Sequence, residues 1–188
     1  MKKLSKIWLT IGSYSIEWAR ILPVLFGTFS ILTLYILAKD RLNYKIALLS
    51  TILMSLSIYH ITYSQEYRSY IVSVFLTLIV TIFLFKFLEK QTYSNVFGLL
   101  ISSAILINNH LFGLLIFFYN ICYGNIYYKL NKTNTTKTDI LNFAILNFSI
   151  GLSFIPFLIL TFCIPPTALP VFDAALYNCA AALFPPDV

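Results

Sequence analysis

The chain has 188 residues, 59% of them hydrophobic and 11% charged, with a mean hydropathy of +0.83. A soluble domain carries about 25% charged residues, so this composition cannot cover a water-facing surface, and a bilayer is the solvent that suits it. The same numbers exclude a disordered chain. The formal net charge of +6 comes without the basic, aromatic-interleaved polar patch of a nucleic-acid binder, and the lysines read as cytoplasmic loop residues of a membrane protein.

Residues 1–20 read as an interfacial segment, with a helix over 4–19 that turns Leu4, Ile7, Trp8 and Ile11 towards lipid. Charge-free runs follow at 21–38, 46–65 and 69–85. Each exceeds the lower limit of about 17 apolar residues for one crossing. Between Lys90 and Lys129 stand 38 residues without Asp, Glu, Lys or Arg. As one helix, at about 1.5 Å per residue, they would be nearly twice the hydrocarbon thickness. The chain must therefore turn back, and Asn108-Asn109-His110 marks the reversal between short helices over roughly 96–107 and 111–128.

A basic loop over 129–139 leads to an apolar run over 140–162, kinked at Pro156. The tail, 163–188, is rich in Pro and Ala, with Pro165-Pro166, Pro170 and Pro185-Pro186 breaking any long helix. It reads as a loop or as a truncated or frame-shifted end. The expected fold is all-α: a polytopic transmembrane helical bundle of about five to six membrane helices spanning 21–162.

Loops 39–45, 86–95 and 129–139 hold eight Lys or Arg, whereas 62–69 and 108–110 hold only Arg68. The first set is expected in the cytoplasm and the second at the periplasm, exterior or lumen. Residues 1–20 then fall outside despite Lys2, Lys3, Lys6 and Arg20. A helix upstream of Met1 would remove that conflict.

Cys122, Cys163 and Cys179 show no CxxC spacing, and His60 and His110 add no zinc pattern, so no metal site is assigned. Cys122 reads as a packing residue; whether Cys163 and Cys179 pair is left open. The sequon matches at Asn131, Asn134 and Asn147 read as chance.

The chemistry concentrates in Tyr63-Ser64-Gln65-Glu66-Tyr67-Arg68-Ser69-Tyr70, where Glu66 and Arg68 are the only charges between residues 46 and 85. Two positions apart on a continuing helix, they would not pair: Arg68 would share a face with Ser64 and Gln65, and Glu66 with Tyr70. The planar fork of arginine suits a phosphate, and a carboxylate suits a sugar hydroxyl or a hard divalent metal ion. The bland alternative is that both charges snorkel as topological anchors. The stripe Tyr59, Tyr63, Tyr67 reads as an interfacial aromatic belt, and His60 as an interfacial or buried histidine. His110 lies on the same expected side as Glu66 and Arg68.

Three segments carry a resemblance. Glu17-Trp18-Ala19-Arg20-Ile21-Leu22-Pro23-Val24-Leu25-Phe26-Gly27 resembles the "ALRLPSVLFG" start of a spanning helix in GT-C glycosyltransferases, the branch with the dolichyl-phosphate-mannose protein mannosyltransferases and RgtA/B/C/D-like bacterial enzymes. Tyr63–Tyr70 resembles their "YSQEARMY". Asn109-His110-Leu111-Phe112-Gly113-Leu114-Leu115 resembles their "THYFGLLLL". The order and approximate spacing agree over roughly residues 5–128.

The resemblance implies transfer of a sugar from a polyprenyl-phosphate-linked donor to a lipid, glycan or protein acceptor on the non-cytoplasmic face, in the bacterial plasma membrane. It implies that Arg68 contacts the phosphate, that Glu66 orients the acceptor, the sugar or a metal, and that Gln65 supports both, with Arg20 and His110 at the cleft rim. The family's acidic base in the first outer loop has no counterpart, since no acidic residue precedes Glu17. The chain is therefore expected to be the N-terminal portion of such an enzyme, without an assigned catalytic base. The alternatives are a small transporter or permease subunit, which would show two related halves and mid-membrane ionisable groups, and a non-catalytic membrane scaffold.

Overall fold

The computed structural model describes residues 16–66, 69–110, 112–131 and 136–155. Outside them lie residues 1–15 of the expected interfacial segment, Tyr67 and Arg68, Leu111, most of the 129–139 loop's centre, and everything from Pro156, with Cys163, Cys179 and the tail. The chain divides into two compact units, Met1–Ile150 and Gly151–Val188. Of the second, the described residues 151–155 finish the last helix with a turn, Phe154 N–H donating to the Gly151 carbonyl (3.1 Å).

The described residues form seven α-helices and no strand. The first, α1 (Ile16–Arg41), runs 26 residues through Pro23 and ends on Lys39 and Arg41. Cations there oppose the negative end of the helix dipole. Residues 16–20 thus continue directly into the first apolar run. After Asn43, whose side chain accepts the Ile46 N–H (2.9 Å), α2 (Tyr44–Leu56) returns along α1.

The run expected as a single crossing over 46–65 is broken. α2 stops at Leu56, Ser57 is extended (φ −65°, ψ 120°), and α3 (Ile58–Gln65) leaves at 58°. No proline or glycine stands at the break. The hydroxyls of Ser50, Thr51 and Ser55 bond back to carbonyls of their own helix at 2.6–2.8 Å, as those of Ser73, Thr77 and Thr81 do in the 20-residue helix Tyr70–Glu89.

α4 (Tyr70–Glu89) has 20 residues, about 30 Å of helix. α5 (Tyr93–Asn109) and α6 (Phe112–Leu130) follow, separated by an extended His110 (φ −154°, ψ 144°), so the reversal falls where the Asn-Asn-His cluster points. α7 (Lys137–Leu152) opens with a capping box. Thr136 N–H and O–H donate to the Asp139 carboxylate (2.9 and 2.7 Å), and the Asp139 N–H returns to the Thr136 hydroxyl (3.3 Å).

The core lies around α4, which packs on α1, α5 and α6 and buries Ile71, Val80, Leu84 and Phe87. On α5, Leu99, Ser102, Ser103, Leu106 and Ile107 face inward, the 3–4 spacing of one helical stripe. Outward faces are strongly apolar: Leu32, Leu53, Phe97 and Leu115 are each more than half exposed. Such surface suits acyl chains and is unfavourable in water.

Two helices are long and apolar enough to cross a bilayer, the Arg20–Arg41 stretch of α1 and α4; the bent α2–α3 pair makes a third if taken as one span. The expected five to six are not reached by that measure. α5, with 17 residues, covers about 25 Å against about 30 Å of hydrocarbon, and α6 carries Asn120, Asn125 and four tyrosines.

Candidate functional site

The three segments that carry the resemblance meet at one end of the bundle. α3 is fastened to α1 at Gly27. The His60 Nε2–H donates to the Gly27 carbonyl (3.3 Å), and Ser64 lies so close that a Cβ on Gly27 would overlap its hydroxyl. His60 is therefore an interhelical clasp. The α5 terminus is fastened to α4: the Asn109 amide donates to the Ser73 hydroxyl (2.9 Å) and the Ser69 carbonyl (3.4 Å).

An aromatic row links these anchors. Tyr63 packs on Tyr70 (centroids 5.1 Å), Tyr70 on His110 (5.2 Å), and His110 stacks on Phe112 (4.9 Å, 8° between planes). The Phe112 N–H donates to His110 Nδ1 (3.2 Å). A neutral imidazole that accepts at Nδ1 carries its proton on Nε2, so His110 offers an N–H donor at its other edge.

Glu66 closes α3. It is half-buried, its backbone is extended, and its N–H donates to the Thr62 carbonyl (3.1 Å). The helical spacing expected to set Glu66 beside Tyr70 does not apply, because the helix ends at Gln65 and restarts at Tyr70. Gln65, the last residue of α3, is exposed. Arg68 lies outside the described residues. Arg20 is exposed and seven residues before Gly27, about 10 Å along the helix axis, so it stands beyond the level of the aromatic row. Of the stripe, Tyr59 is 77% exposed, whereas Tyr63 joins the row.

Sequence reasoning missed the coupling of Tyr70 and Phe112 to His110 and the anchoring of Asn109. The spacing Ser69-x-x-x-Ser73 on one helix face was a usable signal for the second. The first depends on which helices are neighbours.

Chemically, the row combines aromatic faces, two phenols and an imidazole N–H, and Glu66 follows Tyr63 by three residues at the end of α3. That mixture recognises a polyhydroxylated ring or an oxyanion: ring faces cover apolar C–H groups while the polar atoms take hydroxyls. Among the described residues, no group of three or more His, Cys, Asp or Glu side chains could hold a metal ion.

A cleft of about 260 Å³ lies at the other end of the bundle, lined in part by Glu89, Gln91, Tyr128 and Asp139. Its polar groups already engage one another. The Gln91 amide donates to Tyr128 Oη (3.2 Å) and the Asp139 carbonyl (3.1 Å), and Gln91 Oε1 accepts from Asn142 (2.8 Å). This is a clasp joining the α4–α5 connection to α6 and α7.

Fold and site together define a protein that is all-helical among the described residues, with helices fit to cross a membrane and a polar-aromatic cluster at one end of the bundle. No protein-family model matches the chain, and neither a curated protein nor a solved structure matches it.

Proposed function

We propose that the chain is a polytopic membrane glycosyltransferase of the GT-C type, taking a sugar from a polyprenyl-phosphate donor at the Glu66 end of the bundle. The observation that supports this best is convergence: Gly27 meets His60, and Asn109 and His110 meet the start of α4, each far apart in sequence, at one mouth where Tyr63 also packs on Tyr70. A scaffold has no need to gather a carboxylate, an imidazole and phenols there.

In the proposed reaction, an acceptor oxygen attacks the anomeric carbon. The bond from that carbon to the phosphate oxygen breaks, and polyprenyl phosphate leaves with the electron pair. Arg68 holds the phosphate, Glu66 a sugar hydroxyl or a hard cation, and Gln65 supports both. His110 donates its Nε2–H to a phosphate or hydroxyl oxygen. Arg20 stands at the outer rim. The acceptor's proton passes to a base that none of these residues is assigned to be. The lysine-rich end faces the cytoplasm of a bacterial plasma membrane and the Glu66 end faces outward.

The test is transfer of radiolabelled sugar from a polyprenyl-phosphate donor by membranes containing the chain. Glu66→Gln and Arg68→Ala should each lower transfer at least tenfold, the loss of one hydrogen bond to a charged group at about 1.5–3 kcal/mol. Full transfer in both variants refutes the assignment. Topology is checked with Glu66→Cys in a background lacking Cys122, Cys163 and Cys179. A membrane-impermeant thiol reagent should label it on intact cells; labelling only after lysis removes the reading.

A further inference from the structure

Among the described residues, tertiary packing brings Arg41 and six lysines together at the end opposite Glu66. Arg41, at the close of α1, pairs with Glu89 at the close of α4 and lies 4.8 Å over the Phe85 ring. The Asn95 amide donates to the Lys86 and Lys90 carbonyls (3.1 and 2.9 Å). Gln91 ties this same end to Tyr128 and to Asp139 at the start of α7. The exposed side chains of Lys39, Lys45, Lys86, Lys90, Lys129 and Lys137 therefore ring one end of the helices.

The carboxylates that share this end are committed elsewhere. Asp40 (Oδ2 3.4 Å from Nε) and Glu89 both serve Arg41, and Asp139 caps α7 through Thr136. Among the described residues no carboxylate pairs with any of the six lysines. Lys39 has only the Tyr35 ring, 5.9 Å away. About one turn inward of Lys39, Lys45, Lys129 and Lys137 the outer faces are apolar, with Ile36, Leu49, Ile126 and Leu141 each more than half exposed. A cationic rim bordering an acyl-chain surface is the chemistry of an anionic phospholipid headgroup.

We propose that this rim holds anionic phospholipids selectively, their phosphates bridged by lysines from neighbouring helices and their acyl chains lying along the exposed apolar faces below. The partner is the lipid itself, since a free phosphate would use the lysines and leave the apolar border without a role. The proposal does not rest on the sugar-transfer reading.

The experiment reconstitutes the full chain in vesicles of phosphatidylcholine and phosphatidylglycerol in equal parts. The lipids retained after transfer to detergent are then counted by native mass spectrometry. Phosphatidylglycerol is expected to be retained about tenfold over phosphatidylcholine at about 0.1 M salt. The ratio should fall towards unity at about 1 M, where the screening length shrinks from about 10 Å to about 3 Å. The triple change Lys86→Gln, Lys90→Gln, Lys129→Gln should abolish the preference, and arginine at the same three positions should preserve it. Equal retention of the two lipids by the native chain, or a preference that survives the glutamine triple, overturns the proposal. Displacement of phosphatidylglycerol by inorganic phosphate at matched ionic strength overturns it too. If the glutamine triple fails to fold, the salt series on the native chain and the arginine triple decide the matter between them.

Discussion

Gly113 fixes how closely α6 approaches α5, and therefore where His110 and Phe112 sit. A Cβ there would stand 2.6 Å from the Leu106 carbonyl oxygen and 2.8 Å from Ile107 Cα. Both are main-chain atoms of α5 and cannot swing aside. Ordinary contact is about 3.5 Å, so alanine would push the helices apart by about 0.7–0.9 Å. Overpacking of this kind costs about 1–3 kcal/mol. Alanine returns up to about 1 kcal/mol of helix propensity, less here because Gly113 is only the second residue of α6. The expected net effect of Gly113→Ala is a loss of about 1–2 kcal/mol, read from reversible unfolding in mixed micelles by circular dichroism. Gly98→Ala serves as the comparison, since the atoms its Cβ would meet belong to the Phe83 ring. Adding Phe83→Leu should recover most of that loss. No neighbouring side-chain change should rescue Gly113→Ala. Unfolding of Gly113→Ala within about 0.5 kcal/mol of the native chain, the range of an inconsequential surface change, would refute the close approach of the two helices.

The Thr136 hydroxyl and N–H hold the Asp139 carboxyl below its ordinary range. Because the folded value is the lower one, the cap's contribution is complete above about pH 5 and disappears as the pH falls through the folded value. Thr136→Ala should raise the Asp139 titration in a carboxyl NMR experiment and cost about 1 kcal/mol; an unmoved titration refutes the cap. Gln91→Leu and Asn142→Leu should show a coupling of about 1 kcal/mol in a double-mutant unfolding cycle, and additive losses would mean that the clasp is incidental. Arg41→Lys keeps the charge but gives up the planar group over Phe85. It should cost no more than about 1 kcal/mol and change little between low and high salt, because a lysine can still pair with Glu89; a loss that disappears at high salt would mean the ion pair, not the ring contact, was removed.

Periodicity and charge spacing carried the helical class, the positions of α4 and α6 within a few residues, and the reversal at Asn108–His110. Each follows from local chemistry: apolar runs bounded by lysines, and a polar cluster too far from either end to sit in one helix. The break at Ser57 was not legible. It interrupts an apolar run at a serine, with no proline or glycine to mark it, and serines and threonines stand equally in the unbroken α4. The end of α3 at Gln65 was equally hidden, and with it went the face assignments for Glu66 and Tyr70.

The site divides the same way. That Glu66 is a lone charge near a helix end is a property of the linear chain. That Tyr63, Tyr70, His110 and Phe112 stand ring against ring, or that Asn109 reaches Ser73 across 36 positions of sequence, depends on which helices are neighbours and at what height. Neighbour choice is set by glycines such as Gly27 and Gly113, where the absence of a Cβ lets one helix approach another, and by single side chains such as His60 and Gln91 that bond across the gap. A helical pattern states which face is apolar; it carries no information about which other apolar face will meet it, because one apolar face satisfies another almost without preference until such close contacts select the partner.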